Sequence, residues 1–132
     1  MKRLATAFVL AAVISTLLGG CAPAETKVYS DPAQTIEVKV DQSFIIALDE
    51  NPTTGYRLQE EFDDSFLKLV EGKFEPPPEP KEGELPMVGA PGIRSFEFKA
   101  LKKGRTEITM VAKQPWEGGS AGQKKTFTVN IN

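Results

Sequence analysis

The sequence predicts an all-β protein, an immunoglobulin-like antiparallel β-sandwich of about seven to eight strands. Three observations point there. Apolar and polar residues alternate in short runs, the runs are separated by Gly, Pro and Asp turns, and nothing after residue 20 keeps a 3.6-residue apolar stripe over three turns. Sandwiches gather their connections at two ends, so loops distant in sequence come to lie side by side, and function is to be sought there.

Residues 1–20 read as a lipoprotein signal peptide. Lys2 and Arg3 give a positive start, and residues 4–18 are almost wholly apolar, the length of a secretory core and short for a membrane span. Leu18-Gly19-Gly20-Cys21 resembles the bacterial lipobox, in which small residues precede a Cys that is lipidated and becomes the new N-terminus. The resemblance implies a thioether-linked diacylglycerol and an N-acyl chain such as palmitate on Cys21. More than one chain, at about 0.8 kcal/mol per buried CH₂, makes a stable membrane anchor. The expected location is the bacterial cell envelope, and Ala22 after the Cys is compatible with outer-membrane sorting. Residues 21–32 then form anchor and tether, with Pro23 and Pro32, and residues 33–132 the folded domain.

Within that domain Ile36, Val38 and Val40 alternate with Glu37 and Lys39, the period of a half-buried strand. Phe44, Ile46 and Leu48 repeat the pattern after an Asp41-Gln42 turn. Phe96, Phe98 and Ala100 give another strand, and Lys102-Lys103-Gly104 turns the chain into Thr106, Ile108, Met110 and Ala112. Phe127, Val129 and Ile131 close it. Residues 56–59 and 66–70 are weaker strand candidates.

Composition excludes several chemistries. The 132 residues contain no His and one Cys, so there is no Ser-His or Cys-His pair, no His-ligated metal and no internal disulfide. No cofactor or metal is expected. A net charge of -2 gives no reason to expect nucleic-acid binding. No exposed apolar strand run demands a partner, and a monomer is expected.

Three loops stand out. The first is Asn51-Pro52-Thr53-Thr54-Gly55-Tyr56, where Asn51 can form an Asx turn, Pro52 fixes φ and Gly55 permits positive φ. It is at least a stiff β-turn, and its two threonines and glycine also make a narrow wedge whose backbone can approach another protein. The second, residues 71–92, holds six prolines and is acidic. Residues 75–84 read as a solvated polyproline linker, but Gly89-Ala90-Pro91-Gly92 forms a glycine-flanked turn just before a strongly patterned strand. The third runs from Lys113 through Gln114-Pro115-Trp116 to Ser120. Trp116, the single tryptophan, either folds back over the core edge or anchors an interface.

Together these loops resemble those of the chagasin family of cysteine-protease inhibitors, which carry an NPTTG-aromatic motif, a GxGG motif and an RPW motif on three adjacent loops. Residues 51–56 match the first in full. Pro91 stands where the family has Gly, and Gln114 where it has Arg, departures that bear on target range and strength rather than on fold. The resemblance implies a reversible inhibitor of papain-like, cathepsin-L-like cysteine proteases. The wedge would enter the active-site cleft with Thr53 and Thr54 beside the catalytic thiolate, and the other two loops would clamp its sides, Trp116 burying the most apolar area. Pro91 would stiffen one clamp while removing a donor, and Gln114 loses the charge and fork of Arg.

Two other classes fit the strand pattern. One is a lipid-anchored immunoglobulin-like adhesion or envelope-binding module. The other is an enzyme using Glu60, Glu61, Asp63 and Asp64, the clustered acids, which read more simply as a solvated turn. The loop motifs favour the inhibitor, which would bring no nucleophile or base of its own.

Overall fold

Among the described residues, eight strands form two four-stranded sheets packed face to face. A computed structural model describes residues 25–116 and 118–132; the leader and Cys21 lie outside the described residues. The strands are β1 (Lys27–Tyr29), β2 (Ile36–Val38), β3 (Ser43–Glu50), β4 (Arg57–Phe62), β5 (Leu67–Glu75), β6 (Gly92–Ala100), β7 (Gly104–Lys113) and β8 (Ala121–Ile131). One sheet has the order β1-β3-β6-β5 and the other β2-β8-β7-β4.

The alternation read from the sequence sorts residues as expected. Phe44, Ile46, Leu48, Phe96, Phe98, Ile108, Met110, Phe127, Val129 and Ile131 all point inward and are buried. Phe98 sits at the centre, stacked on Phe44 at 5.7 Å and meeting Phe62 edge-on at 5.2 Å. Such ring pairs add roughly 0.5–1.5 kcal/mol each beyond area burial.

Six strands pair antiparallel, as expected, but β1 pairs parallel with β3 and β2 parallel with β8, so both sheets are mixed. The cause is a break in the first strand. Asp31 accepts a hydrogen bond from the Ala33 N–H at 2.9 Å, and Pro32 has no N–H to give a ladder. The chain therefore crosses from one sheet to the other without reversing, and each half lies at an edge. β1 falls inside the segment read as tether, and its Tyr29 is buried edge-on against Phe44.

β5 is also longer than its apolar pattern suggests. Residues 71–75, read as the start of a loop, pair with β6 beyond a bulge at Val70. Their side chains are mostly exposed on an edge strand, so the ladder and not the core recruits them. The acidic, proline-rich connection is thus residues 76–91.

Candidate functional site

β3 leads into β4 through a single 3-10 turn, Pro52–Thr54. Asn51 caps it: its Oδ1 accepts from the Thr53 N–H at 3.1 Å and from the Thr53 hydroxyl at 2.6 Å. The Thr54 hydroxyl donates to the Asn51 carbonyl at 2.7 Å. Gly55 ends the turn at φ 77, a left-handed conformation that costs glycine least. Thr54 N–H and Gly55 N–H close onto the Asn51 and Pro52 carbonyls. Pro52, Thr53 and Thr54 remain exposed at the tip. Both threonine hydroxyl protons are committed inside the turn, so the tip presents methyl groups, lone pairs and backbone.

The structure brings the other two loops against this turn. Asn51 Nδ2 donates to the Gly89 carbonyl at 2.7 Å, tying the second loop to the first. On the other side the Trp116 indole lies over Gly55, so close that a Cβ there would stand 3.0 Å from its ring. Trp116 therefore neither covers the core edge nor hangs free; it rests on the wedge and keeps 55% of its surface exposed.

Tyr56 turns inward, its hydroxyl 2.8 Å from the Ser120 hydroxyl. Ser120 Oγ in turn donates to Gln114 Oε1 at 3.2 Å, and the Ser120 N–H to the same oxygen at 3.0 Å. Since that amide oxygen only accepts, the Tyr56 hydroxyl is the donor to Ser120. Gln114 thus closes its own loop. Gly92 likewise serves the fold, because a Cβ on it would meet the Glu75 carbonyl and the Phe74 ring at 2.5 Å. Ala90 is half-buried, and Pro91 and Pro115 are exposed beside the turn.

Beneath the wedge lies a group that the sequence reading missed. Glu50 is 4% exposed, the last inward residue of β3. Its carboxylate accepts from Arg94 Nη2 at 2.8 Å, from Arg94 Nε at 3.3 Å and from the Leu58 N–H at 2.8 Å. The Arg94 guanidinium also covers the Phe74 ring at 5.0 Å. Glu50 therefore links β3, β6 and the start of β4 at the two feet of the wedge. The available signal was strand parity, since position 50 continues 44, 46 and 48.

The clustered acids have other employment. Asp63 accepts from the Ser65 hydroxyl at 2.6 Å and the Ser65 N–H at 2.9 Å, which lower its pKa. Glu61 pairs with Lys113 at 2.9 Å, and that hydrogen bond lowers its pKa as well. Both shifts run opposite to what a general acid at neutral pH needs. A cavity of about 470 Å³, lined by Glu25, Tyr29, Gln42 and Phe44 among others, lies at the far pole, away from the three loops.

Comparison with known proteins bears on family and fold. Residues 37–131 match the family described as Chagasin family peptidase inhibitor I42. Amoebiasin-2 of Entamoeba histolytica is 33% identical over 98 residues, covering 74% of this chain and 76% of its own. The crystal structure of the cysteine protease inhibitor EhICP2 from Entamoeba histolytica superposes with a TM-score of 0.63 at 27% identity, over 81% of this chain and 97% of that one. The solution structure of Amebosin gives the same TM-score at 20% identity, over 82% and 99%, a likeness of fold. The protein belongs to the chagasin family of peptidase inhibitors.

Proposed function

We propose that this protein occludes the active-site cleft of papain-like, cathepsin-L-like cysteine proteases reversibly, through the three loops at one pole of the sandwich. The carrying observation is their mutual bracing: Asn51 to Gly89 on one side, Trp116 over Gly55 and Tyr56 to Ser120 on the other. Loops that hold each other before binding lose little freedom on binding.

The geometry accounts for inhibition without cleavage. A protease cleft reads an extended backbone, whereas residues 51–55 are closed by two backbone hydrogen bonds within a 3-10 turn. Opening them means breaking the Asn51 cap as well. The wedge therefore enters with Thr53 and Thr54 facing the thiolate and presents no carbonyl in register for attack. Trp116 offers its exposed ring to an apolar shelf beside the cleft, and residues 89–92 pack on the opposite wall. Three loops suffice for an interface of about 1,600 Å². On the same reading residues 1–20 are removed, Cys21 carries the lipid, and the inhibitor is held on the bacterial envelope.

The test is a titration of the domain from Ala22 onward against papain with a small fluorogenic substrate. Inhibition at submicromolar concentration is expected; none at micromolar concentration sinks the proposal. Thr54→Arg should abolish inhibition by blocking entry. Trp116→Ala should raise Ki about thirtyfold, the loss of one aromatic anchor worth roughly 2 kcal/mol. Both residues are exposed, so unfolding should move by less than about 1 kcal/mol in either.

A further inference from the structure

The cavity of about 470 Å³ at the far pole takes no part in the arrangement around the wedge. Its size falls in the range of small-molecule sites, roughly 300–1,000 Å³. It opens where the chain crosses from one sheet to the other. Tyr29 of β1 and Phe44 of β3 line it from one sheet, Glu37 and Val38 of β2 from the other.

Its rim is acidic: Glu25, Glu37, Asp41 and Glu97 stand there with one cation, Lys27. Among the described residues none of the four acids is ion-paired. Glu37 is held instead by neutral amides, accepting from Asn130 Nδ2 at 2.8 Å and from Asn132 Nδ2 at 3.4 Å, so its charge is placed without being cancelled. Asp41 sits at φ 68, and its N–H donates to the Ala100 carbonyl at 2.8 Å, which fixes the corner that carries its carboxylate.

Surface carboxylates by themselves attract only diffuse counterions. Tyr29 adds something more specific. It is 6% exposed, yet its hydroxyl has no hydrogen-bond partner among the described residues, where no buried side-chain polar atom is sealed away without one. The hydroxyl therefore reaches the cavity, an acceptor aimed at whatever fills it.

We propose that this cavity binds a linear polyamine, an alkyl chain carrying two or three ammonium groups. Among the described residues no three acids converge closely enough to hold a metal ion. The negative charge is spread along the cavity, which suits positive charges spaced by methylenes. One ammonium donates to the Tyr29 hydroxyl, the others lie against the Glu37 and Asp41 carboxylates, and the methylenes run along the Tyr29 ring and Val38. An anion would meet four carboxylates and one ammonium. Because the ligand touches β1 and β2, which belong to different sheets, its binding stabilises the fold. The proposal is independent of the inhibitor reading.

The experiment titrates the full chain, in nonionic detergent, with spermidine by calorimetry at about 20 mM salt, where screening is weak. Saturable one-to-one binding with a Kd of about 0.1 mM is expected, and the thermal midpoint should rise with occupancy. Butylamine, with a single ammonium, should bind about tenfold more weakly. Glu37→Gln with Asp41→Asn should weaken spermidine about tenfold. Tyr29→Phe should weaken it about fivefold. Since that hydroxyl has no partner to lose, Tyr29→Phe should leave the midpoint of the unliganded chain unchanged, which separates lost binding from a lost fold. No saturation by about 10 mM spermidine would overturn the proposal. So would full binding by Tyr29→Phe and the acid variant, which would put the ligand elsewhere. An equal midpoint shift from Mg²⁺ at the same concentration would reduce the effect to diffuse counterions. A trilysine peptide binding more than about tenfold tighter than spermidine would assign the cavity to lysine side chains of a protein and not to a free polyamine.

Discussion

Glu50 follows Phe44, Ile46 and Leu48 in the inward register of β3 and arrives as a carboxylate where those three are apolar. Desolvating such a group alone costs several kcal/mol. The two Arg94 nitrogens and the Leu58 N–H offset that cost, and they do so at the foot of the wedge. Arg94 keeps 21% of its side chain exposed, which softens the penalty when its partner is lost. Glu50→Ala is therefore expected to destabilise by about 3 kcal/mol, the lower end for breaking a buried pair. Glu50→Gln, which keeps an acceptor for Leu58 and loses only the charge, should cost about half as much. Urea unfolding measures both. Equal losses in the two variants would mean that the charge, and not packing or the bond to Leu58, is what Glu50 contributes. Because the pair aims the wedge, Ki should rise in the same order.

At the scale of elements, what the sequence made legible was what depends on neighbours along the chain. Period-two alternation located β3, β6, β7 and β8, and the Asn-Pro-Gly chemistry of residues 51–55 announced a rigid turn. β1 escaped because only one of its three residues, Tyr29, is buried and it shows no alternation, and the end of β5 because its side chains face water and only its backbone pairs. The braces escaped for the opposite reason: Asn51 and Gly89 are 38 residues apart, Glu50 and Arg94 44, Tyr56 and Ser120 64. No local pattern encodes such meetings. The β4–β5 corner illustrates a further consequence. Folding lowers the pKa of Glu61 through Lys113 and of Asp63 through Ser65. Their stabilising effect is complete above the unfolded carboxylate range and is lost as pH falls through the lowered folded values. Both groups are exposed, so the effect is small. A thermal midpoint measured from pH 6 down to pH 2 should fall less steeply in Glu61→Gln, Asp63→Asn than in the unaltered chain. An identical acid limb would show that neither contact survives in solution.

At the scale of the whole molecule the two ends of the sandwich have different duties. β1 enters beside the start of β3, and Glu25 and Thr26 lie with Gln42 and Ser43 at that pole, while the wedge, Trp116 and the second loop occupy the other. A lipid on Cys21 would therefore hold the molecule by the pole opposite its site and leave the three loops facing away from the bilayer. Two measurements separate the parts of this arrangement. Labelled palmitate should enter the unaltered chain and not Cys21→Ser; absence of label in the unaltered chain would remove the anchor. Independently, the lipidated chain in vesicles should inhibit soluble papain with a Ki within about threefold of the free domain, because a membrane held through Cys21 would lie roughly a strand's length, some 25 Å, behind the site. Entropic and steric penalties grow quickly when a partner must approach a surface against a wall, so a site lying near the bilayer would lose far more. A tenfold or greater loss on anchoring would place the loops at the membrane and refute the polar arrangement, even with the lipid present.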